Sequence, residues 1–591
     1  MRLVAVLIRL LLPTRAFVNR HSSILFKDAK VRSNLALVCI SLLVPACQTA
    51  VPKVTSDNAF SIAEEAYSDE RFIAAARAYQ SVIDMEDASN RAKRSAAYGV
   101  AYSYARSDGK QSLALDWLER AVSLGFVDIE HMAADQDLDS IRDDPRYAEI
   151  IALAEKKLVE SNRRWAGEAF QTDYQPELPV EERLAGLSVV WSEVKYNFAN
   201  FDLVPDLDWD AEYLKMIPRV IATEDTHSYY RLLQAFIAKL EDGHSNVYFP
   251  RAKAFHSGQS SLQHVPAISY SWIENKLLLD HVPGEEFKAK GIMRGDEIVA
   301  INGEAITAYA DRERRPFVSG SIKANIDTVV YSWRLMTGAK GPVSFTIRKR
   351  DGEIVTVKSS RPDWPEYRRL MGDIGQLPPN FQWTMLDNEI AYVELNSFGN
   401  DEAAQGFADN FEALSQANGI VIDVRQNGGG SDSVGYAVLS RLTDQPYRIN
   451  SAWTLDYKPT YRAWGELTGR HEWPENYQQP HGQQHYTGPV AVLSGPKSFS
   501  AAENFLMAFD IMDRGPIIGT PSGGSTGQPL AFDLPGGGWG RVTTKRDHYP
   551  DGSDFVSVGV QPDILAPMTV GAFRDKRDPA LEKAVEYVLL E

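Results

Sequence analysis

A serine between a short apolar strand and a helix is the first residue of this chain that could do covalent chemistry. In Val490-Ala-Val-Leu-Ser-Gly-Pro-Lys-Ser-Phe-Ser-Ala-Ala-Glu-Asn-Phe-Leu-Met-Ala-Phe509 the apolar run gives way to a turn, and a helix is expected to begin near Ser500. Unpaired amides and the helix dipole favour negative charge at such an N-terminus. Those amides could hold the oxyanion of a tetrahedral acyl intermediate, with the N–H of Ala501 best placed. The same letters also spell a capping box, Ser500 at N-cap and Glu503 at N3. Taken alone, the segment reads more simply as a cap.

A second segment, Gly419-Ile-Val-Ile-Asp-Val-Arg-Gln-Asn-Gly-Gly-Gly-Ser431, runs from a buried strand into three consecutive glycines. Glycines let backbone N–H groups approach a ligand closely. There is no Walker lysine and no G-x-G-x-x-G, so a phosphate loop is not indicated, and a plain tight turn is the alternative. His481 and His485 have the i, i+4 spacing of zinc ligands, but Pro480 and the intervening Gly-Gln-Gln oppose a helix and no glutamate joins them. No metal and no cofactor are expected.

Four segments occur in a fixed order: Asp423-Val-Arg-Gln-Asn-Gly-Gly-Gly430, Ser498-Phe-Ser-Ala-Ala-Glu503, Gly519-Thr-Pro-Ser-Gly-Gly-Ser-Thr-Gly527 and Gly559-Val-Gln-Pro-Asp563. Ahead of them, Gly291-Ile-Met-Arg-Gly-Asp-Glu-Ile-Val-Ala-Ile-Asn-Gly303 resembles the signature of a PDZ domain. The series resembles the C-terminal processing peptidase family, whose mixed α/β core carries a PDZ-like insert. The resemblance covers residues 180–590. It implies Ser500 as nucleophile and an oxyanion hole from the amides of Ala501 and Gly429. Many members take the proton with a lysine in a Gly-x-x-x-x-Gly-Lys stretch; here Ser525 stands in that place. A hydroxyl is no general base near pH 7. The tricorn-like branch instead uses a histidine from the helical region ahead of the core, and Asp242-Gly-His244 looks like that element. An imidazole with an ordinary pKa of about 6.5 suits the task. Where that branch has its orienting glutamate this chain has Val556. Asp554, Asp551 and Glu503 are then the candidate acids, with Asp554 ranked first.

These segments need elements to position them. From Glu389 onward apolar runs alternate with helical stretches, which argues for a largely parallel sheet covered on both faces. Residues 380–591 form the expected catalytic core. Residues 260–360 show period-two strands with Gly-punctuated turns and form the small β-rich, PDZ-like insert. That insert lacks an obvious Gly-rich carboxylate loop. Residues 176–250 are helical and precede the core. Residues 58–165 are helical at i, i+3, i+4 spacing, a short tetratricopeptide-like array without a clean period or a plain bundle, and either form would serve as a docking module for a protein partner or as a spacer. The fold class is therefore multidomain α/β: a mixed α/β serine-peptidase core, a PDZ-like insert and an N-terminal α-helical region.

The first 47 residues read as an export signal. Lys27, Lys30 and Arg32 precede the apolar run Leu35 to Val44, and Val44-Pro45-Ala46-Cys47 resembles a bacterial lipobox with Cys47 as the acylated residue. A second apolar run, Leu3 to Leu12, is bounded by arginines and is too short for the ~20 residues of a spanning helix. Residues 48–57 read as a tether, and Gln48 after the cysteine resembles bacterial sorting patterns that imply the outer membrane, facing the periplasm. The only two cysteines, Cys39 and Cys47, lie in the leader, so no disulfide framework is expected. A hydrophobic fraction of 44% excludes wholesale disorder, and a net charge of −17 without a basic cluster excludes a nucleic-acid partner. The expected activity is a serine peptidase acting on extended or unfolded polypeptides in the cell envelope. The alternative is a non-catalytic ligand- or peptide-binding lipoprotein on the same fold. A third reading makes the helical arm an envelope scaffold.

Overall fold

The computed structural model describes residues 56–85, 88–165, 167–251, 264–372, 374, 377–473, 476–482 and 484–590. The expected export signal, Cys47 and most of the tether lie outside the described residues; the first helix, Ser56–Ser68, starts just inside the expected tether. Among the described residues, no helix is long and apolar enough to cross a membrane. The chain divides into two units at Glu155/Lys156, within the helix Pro145–Trp165.

The first unit packs the helices Ser56–Ser68, Phe72–Asp84, Asn90–Ala105 and Gln111–Ser123 in succession. Their facing stripes are rich in alanine, with Ala75, Ala76, Ala97 and Ala101 fully buried, so the backbones approach closely. Gly99 leaves room for one such approach: a Cβ there would stand 2.8 Å from the Tyr79 ring.

In the second unit the central sheet has six strands in the order Ile564–Leu565, Ile517–Gly519, Val490–Ser494, Gly419–Asp423, Ile390–Leu395, Phe381–Leu386. All neighbours are parallel except the last pair, so the expected parallel sheet carries an antiparallel edge. Helices cover both faces. Ala501–Ile511 lies on one, with Phe505, Leu506 and Phe509 fully buried. Pro579–Leu590 lies on the other through Ala584 and Val588. A helix buried nearly all round is held by packing rather than by propensity, and truncating Phe505 to Ala should cost about 3–5 kcal/mol.

A three-stranded antiparallel sheet (Asn246–Tyr248, Gly538–Thr543, Pro529–Leu534) ties the helices Val180–Asn197, Trp209–Ile221 and Thr226–Ile237 to the core. The period-two region forms a six-stranded antiparallel sheet built on Ser269–Ile273, Lys276–His281, Glu297–Ile301, Gly341–Arg348 and Ile354–Arg361. Outside its strands, His264 and Gly338 exchange backbone hydrogen bonds, and Trp272 stacks on Tyr331 at 3.6 Å.

Candidate active site

Ser500 is the N-cap of the helix Ala501–Ile511, with φ 58° and ψ −125°. A non-glycine residue in this region of backbone space stores about 1–3 kcal/mol of strain, which the surrounding structure must hold in place. Glycine supplies the room: Gly429 sits at φ +95°, where a Cβ would meet Ser500 Cβ and Phe499 O at 2.6 Å. Glu503 accepts the Ser500 N–H at 3.2 Å, the reverse arm of the capping box. The hydroxyl lies 2.9 Å from His244 Nε2. The cap and the nucleophile readings thus describe different halves of the same residue.

His244 follows a short helical turn, Ala238–Leu240, in a loop anchored by the buried Asp242. Asp242 Oδ1 accepts the His244 N–H (3.0 Å) and the hydroxyls of Ser245 (2.9 Å) and Thr543 (2.6 Å). Its Oδ2 accepts from Asn200 Nδ2 at 3.2 Å. Asp242 therefore fixes the backbone of the loop rather than the imidazole. The ring stacks on Phe499 at 4.6 Å, and Gly243 admits this contact, since a Cβ there would stand 2.8 Å from the Phe499 ring.

His244 Nδ1 lies 2.9 Å from Ser525 Oγ. For Nε2 to accept the Ser500 proton, Nδ1 must carry hydrogen and donate it to Ser525. The Ser525 N–H donates to Glu503 Oε2 at 2.9 Å. Glu503 Oε1 accepts from the Ser522 hydroxyl (2.6 Å) and the Gly524 N–H (2.7 Å). One buried carboxylate therefore holds both the N-cap and the loop that presents Ser525.

The structure does not bring Asp554, the first-ranked acid, to His244. Its carboxylate is 41% exposed and lies 3.5 Å from Arg546, and Asp551 is occupied with Ser553. The glycine-rich loop reaches the imidazole first, so a hydroxyl takes the orienting position. Gly429 is also corrected as oxyanion donor: its N–H is bonded to Asn427 Oδ1 at 2.9 Å. The amide of the exposed Gly428 has no hydrogen-bond partner among the described residues, and neither has that of Ala501. His481 and His485 lie in irregular chain, and no cluster of three or more potential metal ligands occurs among the described residues.

Burial first, and then the charges of Arg541 and Lys545, push His244 down to about 3 from its ordinary 6.5. The imidazole is neutral and ready to accept a proton, though by charge alone a weaker base than free imidazole. Burial pushes Glu503 up to about 7, against the opposing hydrogen bonds from Ser522, Ser525, Gly524 and Ser500.

Residues 389–566 match the model of peptidase family S41. The chain is 24% identical over 292 residues to the chloroplastic C-terminal processing peptidase of Tetradesmus obliquus, covering 49% of this chain and 56% of that protein. It is 22% identical over 365 residues to the carboxyl-terminal-processing protease of Picosynechococcus sp., covering 60% of this chain and 76% of that protein. Among solved structures, mature CPAF complexed with lactacystin superposes with a TM-score of 0.53 at 16% identity, covering 70% of this chain and 98% of that one. That likeness bears on the fold.

Proposed function

With a peptidase family S41 domain as premise, we propose that this protein is a serine peptidase in which Ser500 is the nucleophile and His244 the base. The observation that carries the reading is the 2.9 Å contact between Ser500 Oγ and His244 Nε2 at a strained helix N-cap. Ser500 Oγ attacks the peptide carbonyl carbon as its proton passes to Nε2. The oxyanion lies against the N–H groups of Ala501 and Gly428. Collapse breaks the C–N bond, and the leaving amine takes the proton from Nε2. Water then hydrolyses the acyl-enzyme with the same imidazole as base. Ser525 is the positioning residue that fixes the tautomer, a role more often filled by a carboxylate.

Substrates are extended or unfolded polypeptides, because a strand-like backbone is what can lie along the glycine loop. The test incubates residues 48–591 with a denatured-peptide library and reads cleavage by mass spectrometry. Ser500→Ala and His244→Ala should each lower cleavage by at least about 10⁴-fold. Undiminished cleavage by Ser500→Ala would remove the nucleophile assignment.

The leader supports lipidation at Cys47 and a periplasm-facing place on the outer membrane. Metabolic labelling with an alkyne fatty acid should mark the wild type and not Cys47→Ala. The helical region 58–165 fits a docking arm for a protein partner; its deletion should abolish partner binding and spare hydrolysis. The β-rich insert is PDZ-like in strand pattern.

A further inference from the structure

Beside the nucleophile lies a cleft of about 410 Å³ whose wall includes Gly428 and Phe499 together with Arg314, Arg334 and Arg541. Among the described residues, no aspartate or glutamate lines it. It adjoins a larger cavity of about 1050 Å³ through the shared residues Phe249, Arg314, Phe317 and Arg334. Two carboxylates line that larger cavity, Glu224 and Glu313, and Glu313 is 3.7 Å from another cation, Arg231.

The arginines of the cleft differ from those held in ion pairs elsewhere in the molecule. Arg425 is paired with Asp423 and Asp578, and Arg546 with Asp202. By contrast, Arg314 Nε and Arg541 Nε are buried without a hydrogen-bond partner among the described residues. Arg334 and Arg541 rest against the rings of Trp333 and Tyr248 at 5.3 and 5.6 Å. An unsatisfied buried donor costs about 1–3 kcal/mol, more when charged. Repulsion adds to this: burial and the charges of Arg231 and Arg334 push Arg314 down to about 10. The missing charge cannot come from residues 252–263, which contain no aspartate or glutamate.

Guanidinium groups pair most strongly with planar, bidentate anions. Given the peptidase reading, on which this step rests, the planar anion that enters the cleft belongs to a polypeptide. We propose that Arg314, Arg334 and Arg541 form a carboxylate-binding subsite. It selects chains that carry an acidic side chain or a free carboxyl end within a few residues of the bond presented to Ser500. The protein as a whole carries −17, so a general attraction for acidic peptides is not available to explain such a preference.

The experiment uses the full chain as Ser500→Ala, which removes hydrolysis from the measurement. A fluorescein-labelled ten-residue peptide of Ala, Ser and Leu is titrated by anisotropy in four forms, with one internal Glu or Gln and with a free or amidated carboxyl end. At least one carboxylate form should bind ten-fold or more tighter than the fully neutral form, and the form that does identifies the source. The advantage should fall below three-fold when Arg314→Gln or Arg541→Gln is added. Indistinguishable binding of the four forms, or none, overturns the subsite, and this comparison stands even if an arginine variant fails to fold. Retained carboxylate preference with no cleavage by the wild-type chain would overturn the peptidase reading and leave the subsite standing.

Discussion

Two walls meet at Ser500, and their polar groups are treated in opposite ways. On the catalytic wall Asp242 and Glu503 are buried carboxylates, each accepting from several donors at 2.6–3.2 Å. On the wall of the neighbouring cleft the buried Nε atoms of Arg314 and Arg541 have no partner among the described residues. A saturated network has one arrangement and fixes geometry; an unsaturated one stores a demand that only a ligand meets. The first wall is what a preorganised reaction needs, and the second is what selection among substrates needs.

The contrast is sharpest in stability. Glu503→Ala would strand the Ser522 hydroxyl and the amides of Ser500, Gly524 and Ser525, at about 1–3 kcal/mol for each group left unsatisfied. Urea unfolding should show a total loss of several kcal/mol. Arg314→Met removes a group that has no partner to strand, and the same measurement should find it within about 1 kcal/mol of wild type, or more stable. Equal losses in the two variants would erase the distinction between the walls.

Protonation gives a second way to separate contributions within the catalytic wall. His244, held near 3 against 6.5, binds fewer protons when folded, so its contribution is complete above pH 6.5 and is lost as pH falls toward 3. The charged groups acting on it are Arg541 and Lys545; Ser500, Ser525 and Phe499 touch it without charge. Glu503, raised to about 7 from 4.5, binds more protons when folded, so its contribution is greatest below pH 4.5 and is lost as pH rises through 7. Between pH 4.5 and 6.5 the two slopes oppose each other. His244→Gln should leave stability falling as pH rises through that window, and Glu503→Gln should leave it rising, each by up to about 1.4 kcal/mol per pH unit. Slopes of the same sign would contradict the assignment.

Smaller effects test the orienting residues. Ser525→Ala should lower kcat by about 10–100-fold with KM little changed, because it frees the imidazole to rotate without touching substrate. Thermal unfolding should move little. Asp554→Ala should change kcat/KM by less than about two-fold, since its partner is Arg546, which Asp202 also pairs, and not His244. A large loss there would restore Asp554 to the site.

The elements that carry this chemistry were legible because periodicity marks them. The runs at Ile390, Gly419, Val490 and Ile517 became neighbouring parallel strands, and the helix after Ser500 began where the strand–turn–helix pattern placed it. Ser500 and His244 could be singled out because one sits in an ordered motif and the other fills a vacancy left by a missing lysine. The partner of Nδ1 was not legible. Ser525 lies 281 positions from His244 and is a hydroxyl in a glycine loop, a type and place with no periodic signature. Three consecutive glycines likewise do not disclose which amide turns outward; Asn427 decides that by capturing Gly429. The cationic cleft was invisible because its arginines come from separate stretches, around 314, 334 and 541, and meet only in the fold.

Arg541 acts on two things at once: it lines the cleft, and its charge disfavours the imidazolium at His244. A carboxylate seated against it would relieve that penalty at the moment the proton moves. The better substrate would then differ in turnover as well as in occupancy. Neutral chains that reach Ser500 would find a weaker base, so discrimination would persist at saturating concentration, where affinity alone no longer distinguishes one polypeptide from another.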